Sequence, residues 1–207
     1  MIKRLFGTLI LLMSFSLIQA QNWIKFNNHD GAFSVQLPTK PNDLTKDVEV
    51  EFEEMNKVKV HIYTSLDEKA KMNYLVAYND YPLGYIVEDK EETLNQLIDQ
   101  IKEENEIISI EDIMLDGNTG KKVILKLQKN YFSEMVVYAR GNRIYKLIAQ
   151  NIDAKATEIV PSNFFKSFVF EKYTAATLKE FVPDEEYFAF KTFQKRSEER
   201  RVGKECL

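Results

Sequence analysis

Between residues 33 and 151 apolar and polar residues alternate along most of the chain, so strands dominate the predicted elements. In AFSVQLP, Phe33, Val35 and Leu37 share a face, after a turn at His29-Asp30-Gly31 and before the strand-stopping Pro38 and Pro41. DVEVEFEE and KVKVHIYT then form the clearest alternation. Val48, Val50 and Phe52 face inward with Val58, Val60 and Ile62, while Lys57, Lys59 and His61 face outward. A loop at Glu54-Met55-Asn56 predicts the pairs Phe52–Val58 and Val50–Val60, with Glu53 beside Lys57 and Glu51 beside Lys59. The run from Tyr74 to Tyr78 in MNYLVAYND predicts a strand buried on both faces.

After this strand the period changes. Leu94, Leu97, Ile98 and Ile101 recur at helical spacing, and Asp89 with Glu92 three residues on reads as a capping box. Four strands follow, over 106–115, 121–129, 131–140 and 143–151, separated by 116–120, by Lys129-Asn130 and by the two-residue turn Gly141-Asn142. Asp153 is placed to cap a short helix, and Pro161 to open another over PSNFFKSF with Phe164, Phe165 and Phe168 toward the core. Helices among antiparallel strands predict an α+β fold, an antiparallel sheet of about 7–9 strands covered by helices.

GAFSVQLPTKP, YLVAYNDYP, VVYARGNRIYKLIA and FFKSF together resemble the extrinsic PsbP family of photosystem II and its bacterial PsbP-like relatives, and also small exported bacterial proteins of unknown function. The resemblance spans about residues 30 to 170 and rests on core and turn positions. It implies a PsbP-like sandwich and a non-catalytic accessory or binding role. It carries no functional residue across.

The two ends of the chain set the context. Lys3 and Arg4, the apolar run Leu5 to Ile18, and Ala20 before Gln21 have the layout of a secretory signal peptide, expected over 1–20. The run is short for a bilayer span and is interrupted by Gly7, Thr8, Ser14 and Ser16. No cysteine follows it for a lipid to attach to, so a periplasmic or secreted product is expected. At the other end, RSEERRVGKEC resembles a sequencing adapter translated in frame, and 196–207 is expected to be an artefact. That leaves a single domain over 21–173 and a C-terminal segment, 174–195, of undefined structure.

Without these ends the charge changes. They hold six of the 28 basic and three of the 32 acidic residues, so 22 remain against 29, a net charge of −7. Such a surface repels nucleic acid and anionic lipid. The one cysteine, Cys206, lies in the tail, so no internal disulfide exists and thiol catalysis is not expected.

Other chemistry is sparse. His29 and His61 are the only histidines, no G-x-S-x-G surrounds a serine, and no P-loop, dinucleotide or H-E-x-x-H motif occurs. A metal site from His29, Asp30 and His61 would need two strands to converge, and no metal or cofactor is expected. Surface recognition remains: NDYPLGYIVE puts Tyr81 and Tyr85 on a Pro/Gly loop, as candidate partner contacts or as rings packed over the sheet edge. The expected function is therefore that of an exported, non-enzymatic accessory or binding protein of the cell envelope. The alternative is a carrier of an apolar small molecule inside a curled sheet.

Overall fold

The computed structural model describes residues 23–52, 55–81, 89–127, 131–153 and 163–173. The expected signal peptide, Tyr85, the helices placed at Asp153 and Pro161, and the segments 174–195 and 196–207 fall wholly or partly outside these residues.

Two antiparallel sheets and one helix make up the described fold. The larger sheet contains β3 (Asn42–Asp43), β4 (Lys46–Phe52), β5 (Met55–Asp67), β6 (Met72–Asp80), β7 (Glu106–Leu115), β8 (Asn118–Lys126), β9 (Phe132–Arg140) and β10 (Arg143–Asn151). Its order is β3-β5-β6-β10-β9-β8-β7, with β4 also pairing β5. The smaller sheet is β1 (Ile24–Asn28), β2 (Phe33–Leu37) and β11 (Val169–Phe170), with β2 in the middle. The helix α1 (Lys90–Glu104) starts where the capping pattern placed it, with Asp89 Oδ1 accepting from the Glu92 amide at 2.8 Å.

The expectation of several helices covering the sheet needs correction. α1 covers one face, but the opposite face is closed by the three-stranded sheet. The reason lies in the aromatic residues. Trp23, Phe26 and Phe33 reach Tyr74, Tyr63 and Tyr145 with ring centroids 5.0, 5.0 and 6.2 Å apart. A pleated layer presents such rings in alternate positions, and each fully buried ring contributes roughly 1.5–3 kcal/mol. Phe33, Tyr145 and Phe164 are wholly buried here. Within the described part of PSNFFKSF, 163–168, the expected helix is a 3-10 turn, Phe165–Ser167; the backbone becomes extended at Phe168 because β11 then pairs with Phe33 and Ser34.

The 46–67 hairpin forms in a different register. Val48 faces Val58, Asp47 faces Lys59 and Glu49 faces Lys57; an irregularity after Glu49 brings Phe52 opposite Met55. A shift by an even number of residues keeps every side chain on its face, so the alternation fits this register as well as the expected one. The outward direction assigned to His61 is also corrected, because that face of β5 meets the aromatic core through Tyr63 and Tyr78. Between β7 and β8 the expected five-residue separator shrinks to Asp116-Gly117. Both residues have positive φ, 49° and 77°, as a two-residue hairpin turn with the twist of the strands requires.

Candidate binding surfaces

The polar groups gather where β6 ends and β10 begins, under the β1–β2 turn. Gly31 sits in that turn with its amide donating to Asn28 Oδ1 at 2.6 Å. A Cβ at Gly31 would lie 2.5 Å from the Phe33 ring and 2.8 Å from Tyr78, so only glycine lets the turn come this close. Its carbonyl accepts from the Tyr145 hydroxyl at 2.8 Å. Arg143 donates from Nε and Nη2 to both oxygens of Asp80, at 2.5 and 2.6 Å, and from Nη1 to the Asp30 carbonyl at 2.9 Å. Its guanidinium lies 4.4 Å from the centre of the Tyr78 ring. Burial opposes the charge on Arg143, but the hydrogen bonds and charge of Asp80 outweigh it and raise the pKa.

Arg140 makes a second clamp, donating to the carbonyls of Ala32 and Glu171 at 3.2–3.3 Å and lying over the Phe170 ring at 4.9 Å. The two arginines thus fasten the small sheet to the large one. A bidentate Arg–carboxylate pair with its donors spent on backbone carbonyls is suited to holding a geometry.

The sequence-predicted residues are scattered around this clamp. Tyr81 is half-buried against the helix-side core, and its backbone is held by Asn142 in both directions, each hydrogen bond 2.8 Å long. His29 and Asp30 stay in the turn. His61 lies flat against Tyr78, ring centroids 4.4 Å apart and planes 9° from parallel. Burial lowers its pKa most, followed by the charge of Arg143; Asp80 opposes them, and Lys59 and Asp43 add weaker pulls down and up. Among the described residues no three His, Cys, Asp or Glu side chains stand close enough to hold a metal ion. Nor is any helix among them long and apolar enough to cross a membrane.

One surface was not singled out from the sequence. β7 is an edge strand that pairs only with β8 among the described strands, and it exposes Ile108, Ile110 and Met114. Met114 is 70% exposed. Its sequence, EIISIEDIML, has neither the lysine nor the proline that commonly guards an edge; its guards are Glu106, Glu111, Asp112 and the irregularity between Ile107 and Ser109. That composition was the available signal.

No family model matches the chain, and no curated protein matches it. Among solved structures the chain is similar to the solution structure of cyanobacterial PsbP (CyanoP) from Synechocystis sp. PCC 6803. The identity is 12%, over 77% of this chain and 98% of that one, with a TM-score of 0.40.

Proposed function

We propose that this chain is an exported accessory protein of the bacterial cell envelope that works by binding another protein, with β7 as the docking edge. The observation that carries the reading is the row Ile108, Ile110 and Met114 on a ten-residue edge strand. An exposed strand edge offers unpaired backbone groups to an extended segment of a partner, and apolar side chains beside it add affinity. The signal-peptide pattern supports the location, and the absence of a catalytic motif in the sequence supports binding over catalysis.

The test is affinity capture from envelope extracts with protein lacking residues 196–207, comparing the unmodified strand with Ile110→Lys/Met114→Lys. A specific partner lost with the double variant supports the reading. No specific partner at native salt, or capture unaffected by the two lysines, counts against it.

A further inference from the structure

Among the described strands β7 has one neighbour, β8, and their pairing shows what kind of strand this sequence accepts. Each acid of β7 stands opposite a lysine of β8: Glu106 opposite Lys126, Glu111 opposite Lys122, and Asp112 opposite Lys121. Ile110 stands opposite Val123, which is buried in the helix-side core. Directly paired residues share a face, so Ile110 and Met114 project on the side that carries α1, and Glu111 on the other. α1 packs over β8 and β9 and leaves Ile110 and Met114 exposed beside it.

The open side of β7 has no such lysines. Residues 103–116 hold six carboxylates, all of them exposed, and neither lysine nor arginine. Lys121 reaches Asp112 at 2.6 Å and Lys126 reaches Glu106 at 3.6 Å, but Lys122 turns to Glu134 of β9 at 3.2 Å. Glu111 is left without an ion pair among the described residues. A second copy of β7 would set carboxylates beside carboxylates with no cation between them, and like charges across a strand pair are destabilising. The same charge that turns a second copy away attracts a basic strand.

We propose that the partner docked on β7 presents an extended segment in which lysine or arginine alternates with apolar residues. Its apolar side chains cover Ile110 and Met114, a cation meets Glu111, and its backbone pairs with the strand edge as β8 does on the other side. This partner chemistry rests on the reading of β7 as the docking edge and adds to it which segments the edge accepts.

Fluorescein-labelled peptides KVKVKVKV and EVEVEVEV, equal in pattern and opposite in charge, test it by fluorescence anisotropy with the full chain. KVKVKVKV should bind at least about tenfold more tightly than EVEVEVEV, and Ile110→Lys/Met114→Lys should weaken it about tenfold or more. Glu111→Lys, at an exposed position, should weaken KVKVKVKV about threefold and strengthen EVEVEVEV. KVKVKVKV with N-methylated valines keeps its charge but loses backbone donors, and should bind about tenfold more weakly. Undiminished binding of the methylated peptide, or of KVKVKVKV to the double variant, would reveal general attraction to an acidic surface and overturns the proposal. Equal binding of the two peptides, both lost with the double variant, overturns the charge preference and leaves β7 as the docking edge. No binding of either peptide also overturns it, whereas the edge itself stands or falls by the envelope capture. A chain that sediments as a dimer, and as a monomer with the double variant, assigns the edge to a second copy and overturns the basic segment.

Discussion

Arg143 and Lys146 stand on the same strand and emerge on opposite faces of the eight-stranded sheet, and their surroundings differ in kind. Arg143 enters the aromatic side, where Asp80 takes two of its donors, the Asp30 carbonyl a third, and Tyr78 lies under its plane. Lys146 enters the helix side between Ala77 and Val137, and burial lowers its pKa. The first arrangement joins two layers of the fold. The second has no carboxylate partner among the described residues.

The most forceful way to break the comparison is to remove the partner of Arg143. Asp80→Ala leaves a buried guanidinium uncompensated and should cost ~3–5 kcal/mol of unfolding free energy, read by urea denaturation. A loss below 1 kcal/mol would mean that the pair is solvated and the clamp unimportant. Lys146→Met should act with the opposite sign. It should raise stability at pH 7 by ~1–3 kcal/mol, the range for a buried polar group without a partner. The unfolded lysine binds its proton below about pH 10.5 while the folded one resists it, so this gain should shrink as pH rises toward 10.5.

His61 gives a smaller effect on the aromatic side. Its folded pKa lies below the ordinary 6.5, so the unfolded chain binds the extra proton and stability should fall as pH drops below 6.5. His61→Phe, which keeps a flat ring against Tyr78, should flatten that part of the stability–pH curve; an unchanged slope would assign it elsewhere. The smallest effect concerns the hairpin. Asp47→Lys should cost roughly 0.2–1 kcal/mol and be rescued by Lys59→Asp, whereas Glu51→Lys should gain nothing from the same second change.

That last contrast shows what a sequence of this kind specifies. Alternation in DVEVEFEE and KVKVHIYT fixes which residues share a face, but Asp47, Glu49, Glu51 and Glu53 offer lysine partners in more than one register. Local signals were read well where a single residue decides. Asp89 caps α1, and Gly141-Asn142 turns β9 into β10 over the span expected. The three-stranded layer was not legible, because β11 follows β2 by more than a hundred residues and pairs with it through only Val169 and Phe170. Arg143 and Asp80 are 63 residues apart, and nothing local marks them as partners. Tyr81, a candidate partner contact in the sequence, packs on the helix-side core. Lys146 was invisible for the opposite reason: in RIYKLIAQN it reads as the polar member of an ordinary alternation. Only the pairing of both neighbouring strands reveals that its face is apolar.

The central claim, that Lys146 is held on an apolar face without a counter-charge, is tested most directly by nuclear magnetic resonance. Protein labelled with 13C at the lysine ε-carbons, with Lys146→Arg to assign the signal, gives the titration of each lysine in one pH series. The account predicts that burial makes Lys146 lose its proton below the ordinary lysine value of 10.5. A Lys146 signal that titrates at or above 10.5 would contradict it.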